Sequence, residues 1–207
     1  MAGDHMIKNI VFDMGQVFVD FAPLKFADRY DISEEDKVLL ADEIFEGNAN
    51  WVLSDWGYID EEEVADRACA RLPERLHAVA RELATRWWDP IIPIEGTADI
   101  ARRLKEAGYR LYLLSNAGYM HRTYWPTVPG SEYFDGVLAS AYEKLLKPQP
   151  EIYQLLCRRF GLDPEECLFV DDRAVNLAGA EVAGMQSVMF RDSADLLKKL
   201  KKLGIEV

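Results

Sequence analysis

The hydrophobic pattern changes character along the chain. From Ile7 the sequence runs Ile-Lys-Asn-Ile-Val-Phe and stops at Asp13-Met-Gly15, a short apolar run ended by a carboxylate and a glycine. Residues 110–114, 137–140, 167–170 and 187–190 repeat that form. Short, nearly continuous apolar runs bounded by turn residues mark strands buried on both faces of a parallel sheet. Between them the period is helical: Ile100, Ala101, Leu104 and Ala107 form one stripe closed by Gly108, and Ile152, Leu155, Leu156 and Phe160 form another closed by Gly161. Five strands joined by crossovers predict an α/β fold built on a doubly wound, Rossmann-like parallel sheet.

Residues 20–90 have the helical period and no convincing strand. Helices are expected over 33–46, opened by a Ser33 cap, over 60–72, opened by Asp60 with Glu63 behind it, and over 74–88 after Pro73. The segment therefore reads as an all-helical insertion between the first and second strands, leaving 6–19 and 91–207 as the core. Four of the five tryptophans, Trp51, Trp56, Trp87 and Trp88, lie in it. They supply bulk for a small helical core, or Trp51 and Trp56 stack on a substrate. The Lys198–Lys202 run predicts the solvated face of a last helix.

Composition narrows the function classes. With 49% hydrophobic and 29% charged residues, the 207-residue chain has the make-up of a globular protein, and no apolar run approaches the ~18 residues of a membrane span. Lys plus Arg number 24 against 36 for Asp plus Glu, a formal charge of -12, so a nucleic-acid backbone finds no general attraction here. An anionic substrate would have to be held by local donors or by a cation. Cys69, Cys157 and Cys167 are odd in number and lack zinc-ligand spacing, which fits small buried hydrophobes in a reducing compartment. Residues 1–5, ahead of Met6, read as a cloning remnant, and with no export signal a cytoplasmic location is expected.

Ligands of open parallel sheets bind outside the carboxyl ends of the strands. The polar residues there are Asp13 and Gly15 after the first strand, Ser115-Asn116 after the second, Lys147-Pro148 after the third and Asp171-Asp172 after the fourth. Each alone has a plain explanation as a cap, a turn or a surface charge. Together they have the make-up of a phosphoryl-transfer site. Three crowded carboxylates repel one another unless a divalent cation sits between them, which points to Mg²⁺. A hydroxyl, an amide and a lysine can hold the remaining phosphate oxygens, and one carboxylate can serve as nucleophile.

The order Phe12-Asp13-Met-Gly-Gln-Val17, Leu-Leu-Ser115-Asn116, Lys147-Pro148 and Phe-Val-Asp171-Asp172 followed by Asn176 resembles the four motifs of the haloacid dehalogenase superfamily. The helical insertion is similar to that superfamily's small helical cap of the C1 type. Asn116-Ala-Gly-Tyr-Met-His121-Arg-Thr-Tyr-Trp125-Pro and Lys147-Pro-Gln-Pro-Glu-Ile-Tyr resemble a branch that holds sugar-phosphate phosphatases, including alpha-D-glucose-1-phosphate phosphatase, and is related to the N-terminal phosphatase domain of soluble epoxide hydrolase.

The resemblance implies that Asp13 is a nucleophile forming an aspartyl-phosphate, that Ser115 and Asn116 bind the phosphate, and that Lys147 fixes Asp13 and the phosphate together. It implies Mg²⁺ held by Asp13, the Gly15 carbonyl, Asp172 and Asp171, the last directly or through water. The substrate would be a small phosphorylated metabolite, and the protein a monomer or homodimer. One position departs from the superfamily pattern: the second Asp that protonates the leaving oxygen is Gly15 here, as it is in the glucose-1-phosphate-type branch. His121 is then either a packing residue beside Trp125 or a substrate contact and replacement acid. Two other functions share these motifs. A 2-haloacid dehalogenase would aim the same aspartate at carbon and would not need the Asp171-Asp172 pair, and a catalytically weakened binding or regulatory protein would find its support in Gly15.

Overall fold

A computed structural model describes residues 6–205 and 207; the suspected cloning remnant, 1–5, lies outside them. Five parallel strands, β1 (Asn9–Phe12), β2 (Arg110–Ser115), β3 (Gly136–Ala139), β4 (Cys167–Asp171) and β5 (Gln186–Met189), form one sheet in the order β3-β2-β1-β4-β5. The register pairs Phe12 with Leu113 on one side and with Val170 on the other. Strand order reverses at β1, so the crevice expected of such sheets opens at its carboxyl end. Asp13, Ser115 and Asp171 all arrive at that edge.

Successive strand residues serve opposite faces. Ile10, Phe12, Leu111, Leu113, Leu168 and Val170 pack on α6 (Thr97–Glu106) and α10 (Ser193–Lys202) through Ile100, Leu104, Leu196 and Leu200. Val11, Tyr112, Leu114, Leu138 and Phe169 pack on α8 (Pro150–Phe160) and α9 (Ala174–Val182) through Ile152, Tyr153, Leu156 and Ala180. Both faces being covered explains why the strands read as continuous apolar runs. Gly161 ends α8 in the left-handed region, as its sequence position suggests.

The helical segment follows its local signals closely. Ser33 caps α2 (Glu34–Ala41) by accepting from the Asp36 N–H, and the chain continues as a π-helical turn over Asp42–Glu46. Asp60 caps α4 (Glu61–Cys69) by accepting from the Glu63 N–H, and α5 (His77–Arg86) follows a 3-10 turn at Glu74–Leu76. Two short helices, α1 (Pro23–Ala27) and α3 (Asn50–Asp55), complete it. Its apolar side chains, among them Phe26, Leu40, Ile44 and Leu83, join the same buried cluster as Ile10 and Phe12. Departing and returning chains run side by side: the Asp20 N–H donates to the Ile92 carbonyl, and the Ile94 N–H to the Phe18 carbonyl. Among the described residues no helix is long and apolar enough to cross a membrane, and all three cysteines are free and buried.

Helix α9 approaches the active edge through Gly179, where an added Cβ would lie 2.3 Å from the Pro148 carbonyl oxygen. Gly179→Ala should push the helix off the Lys147-Pro148 segment and destabilise the protein by about 1–3 kcal/mol, the usual effect of overpacking. Thermal denaturation reads this directly, and an unchanged melting temperature would mean that the helix yields freely.

Candidate active site

The centre of the site is a lysine between two carboxylates. Lys147 Nζ lies 2.7 Å from Asp13 Oδ1 and 2.7 Å from Asp171 Oδ2, and the three side chains are buried, Asp171 completely. Asp13 follows β1, its N–H bonded to the Val170 carbonyl, and its Oδ1 also accepts from the Met14 N–H at 2.7 Å. Both of these bonds fall on Oδ1. Oδ2 is left as the oxygen able to attack or to bind a cation. Burial pushes the Asp13 carboxyl up to about 7, Lys147 opposing the rise and Asp171 adding to it. For Lys147 itself burial opposes the charge, but the two carboxylates win and hold it above its ordinary value.

The other strand-end residues keep this lysine in place. Asn116 binds the backbone of Lys147 from both sides, Oδ1 accepting from its N–H at 2.9 Å and Nδ2 donating to its carbonyl at 3.1 Å. The expected phosphate-binding amide is thus committed to the loop. Asp171 Oδ1 accepts from the Arg173 N–H at 2.8 Å, and Asn176 Nδ2 reaches both Asp171 oxygens at 3.0 Å. Ser115 is buried at the end of β2, paired in register with Ala139, and is not part of the cavity wall.

Above this group opens a cavity of about 440 Å³. Its polar floor includes Asp13, Asn116, Lys147, Asp172 and Arg173, and the helical segment contributes Phe21, Trp51, Trp87, Asp55 and Glu61. Trp51 therefore sits where the sequence suggested, against the Phe45 ring at 4.6 Å and facing the cavity. Trp56 does not: its Nε1 donates to the Lys144 carbonyl at 2.9 Å, outside the wall. His121 must also be corrected as a substrate contact or acid. It is buried at the start of α7 (His121–Tyr124), stacked on Trp125 at 5.9 Å, and lines a different cavity with Arg122 and Tyr142. Burial, aided by Arg122, lowers its pKa to about 4, so its ring is neutral packing material.

Two acids of the wall had no motif to announce them. Glu61 Oε1 accepts from the Met120 N–H at 2.8 Å, and burial raises its pKa. Asp55, the last residue of α3, is partly buried; desolvation pushes its carboxyl up to about 8, with Glu61 and Asp13 adding to the effect and Lys147 opposing it.

Asp13, Asp171 and Asp172 offer carboxylate oxygens within 4.8 Å of one another. One lysine pairs with two of them, and Asp172, half-buried beside Asp171, forms no ion pair among the described residues. A hard, all-oxygen set with an excess of negative charge suits Mg²⁺. Asp171 is the weakest candidate ligand, because three donors already occupy its oxygens.

Removing the ammonium leaves two buried carboxylates without a counter-charge. Lys147→Met should lose about 3–5 kcal/mol of stability at pH 7.5. Asp13, already raised by burial and no longer opposed by Lys147, would then bind its proton more tightly folded than unfolded, so the deficit should shrink as pH falls toward 5. Melting curves of both proteins across that range test it; a gap independent of pH would mean that the loss is one of packing.

Comparison with known proteins points the same way. A glyceraldehyde 3-phosphate phosphatase of Pyrococcus abyssi is 30% identical over 102 residues, 47% of this chain and 42% of that protein. An (S)-2-haloacid dehalogenase of Burkholderia cepacia is 31% identical over 118 residues, 56% of this chain and 48% of that protein. The chain thus spans about half the length of these curated relatives. An enzyme of Bacteroides thetaiotaomicron, solved with magnesium and inorganic phosphate, has the same fold, with a TM-score of 0.67 at 22% identity over 90% of this chain and 95% of that one. The family model of haloacid dehalogenase-like hydrolases matches residues 7–184, and the chain belongs to that family of hydrolases.

Proposed function

We propose that this hydrolase is a Mg²⁺-dependent phosphatase of small phosphate monoesters, with a sugar phosphate as the best-fitting class. The observation that carries the reading is the Lys147 ammonium held against Asp13 at 2.7 Å while Asp13 Oδ2 stays free in the floor of the cavity. Asp13 attacks phosphorus and becomes an aspartyl-phosphate, which water then cleaves. Lys147 keeps Asp13 ionised and oriented, and its charge answers that of the phosphoryl oxygens. Asn116 supports the phosphate site chiefly by holding Lys147, whereas Ser115, buried and outside the cavity wall, is assigned no contact with the phosphate.

A phosphate dianion cannot enter a site with three carboxylates and a single lysine unless more positive charge is present. Asp13, the Gly15 carbonyl and Asp172 would hold Mg²⁺, with Asp171 behind them, and the bound ion would supply that charge and polarise the phosphoryl group. The segment 20–90 acts as a helical cap on the core of 6–19 and 91–207, and Trp51, Phe21 and Trp87 give the organic part of the substrate an apolar wall. A volume near the lower end of ligand pockets, which run ~300–1,000 Å³, suits a metabolite rather than a polymer. The likeness to a haloacid dehalogenase keeps a second reading in play, in which Asp13 attacks carbon. The unpaired Asp172 favours phosphorus, since a carbon displacement gains nothing from a third carboxylate.

Turnover of a panel of sugar and nucleotide phosphates, with and without Mg²⁺ and beside a 2-haloacid, decides between them. Phosphate release should require the metal and vanish in Asp13→Asn with the fold intact. Asp172→Ala should weaken metal affinity more than Lys147→Ala does. Metal-independent release, or halide release from the haloacid alone, would overturn the assignment.

A further inference from the structure

We propose that Asp55, carried into the site by the helical segment, is the proton donor and acceptor of the reaction, in place of a carboxylate at position 15. The inference rests on the phosphatase reading above. Without a side chain, Gly15 leaves the nucleophile's own loop with no acid, and nothing lies within 4 Å of where its Cβ would be. Asp55 faces the same cavity from the opposite wall.

The chain around it is fastened to the core at three consecutive residues, through the backbone of two and the indole of Trp56. Ser140 Oγ, just beyond β3, donates to the Asp55 carbonyl at 2.5 Å, and Trp56 Nε1 donates to the Lys144 carbonyl. The Gly57 carbonyl accepts from Tyr119 OH at 2.8 Å and from Lys144 Nζ. Gly57 is needed there: its φ is +74°, and a Cβ would sit 2.1 Å from the Ala141 carbonyl oxygen. A carboxyl that belongs to the insertion is in this way set in position by the core.

The alternatives in the wall are worse acids. Glu61 spends an oxygen on the Met120 N–H and is held as an acceptor. Tyr124 is buried, and burial, with Asp55, Glu61 and Asp13 near it, pushes its phenol far above the ordinary value. His121 lies outside the cavity. The Asp55 carboxyl makes no hydrogen bond or ion pair among the described residues, faces Asp13, Glu61, Tyr124 and Lys147, and keeps a proton near neutrality. The balance of charge is complete: as Asp13 Oδ2 bonds to phosphorus and the ester P–O bond breaks, the Asp55 proton passes to the leaving oxygen. Water then attacks phosphorus, its proton returns to Asp55, and the bond to Asp13 breaks to release phosphate.

The test compares wild type, Asp55→Asn and the double variant Gly15→Asp/Asp55→Asn on glycerol phosphate, whose leaving alkoxide needs a proton, and on p-nitrophenyl phosphate, whose phenolate does not. Asp55→Asn should lower kcat/KM for glycerol phosphate by about 10²–10³-fold, the span of general acid catalysis. With p-nitrophenyl phosphate its first turnover should stay within a few-fold of wild type. Because water activation is also lost, the phosphorylated protein should accumulate and appear by intact mass. Gly15→Asp in the same chain should recover at least tenfold on the alkyl ester. If Asp55→Asn folds poorly, Asp55→Ser keeps the carbonyl that binds Ser140 and allows the same comparison. Equal first-turnover losses on both esters, or full activity on glycerol phosphate without Asp55, overturn the proposal while phosphatase activity stands. A wild-type protein inert toward every ester overturns the reading beneath it.

Discussion

Everything at the active edge depends on one buried ammonium that answers two buried carboxylates. Lys147 touches Asp13 and Asp171 at the same 2.7 Å, and neither charge could be carried there alone. The strand order serves this contact. Because β1 lies between β2 and β4, the residue after β1 and the last residue of β4 emerge as neighbours, and the Asn116 side chain from beyond β2 clamps the Lys147 backbone between them. Carboxylates from the ends of two strands meet at one nitrogen atom, and a third strand end holds the backbone that carries it. Such a site is stiff by construction, since moving any one element strands a charge.

The helical segment contributes the other half of the cavity, and its attachment is of two kinds. Phe26, Leu40, Ile44 and Leu83 share a continuous apolar cluster with the sheet, which resists separation without dictating fine geometry. The polar ties around 55–57 do dictate it. Ser140, Tyr119 and Lys144 fasten the end of α3, and Glu61 fastens α4 through the Met120 N–H. All four bonds end within a few residues of cavity-lining positions.

Much of the fold was legible in the sequence because its signals are local. Buried parallel strands must be short apolar runs, and Ser33 and Asp60 cap the helices they precede by the bond that makes them good caps. The acids and lysine of the site could be gathered because strand ends share an edge. What escaped depends on long-range packing. Asp55 sits in Ser-Asp-Trp-Gly, one acid among many in an acidic segment, and nothing local separates it from the solvated carboxylates of α4. Trp56 was drawn toward the substrate by residue type, whereas its partner, Lys144, is fixed by how the segments pack; for His121 the alternative of packing beside Trp125 is the one that holds. Asn116 was placed correctly at the edge, but an amide that grips a backbone and one that grips a phosphate look alike in a sequence.

The proposed reaction asks two carboxylates to do opposite things: one has to be ionised to attack, the other protonated to donate. Burial raises both, Asp13 to about 7 and Asp55 to about 8, and what differs is the set of donors around each. Asp13 receives an ammonium and a backbone N–H on one oxygen, both of which favour the anion. Asp55 has no such donor, faces the acids Glu61 and Asp13, and lies in a desolvated wall, all of which favour the neutral form. In the proposed reaction the acid that Gly15 cannot supply comes from the helical segment, and the bonds of Ser140, Lys144 and Tyr119 to residues 55–57 fix its place in the wall of the cavity that Asp13 also lines.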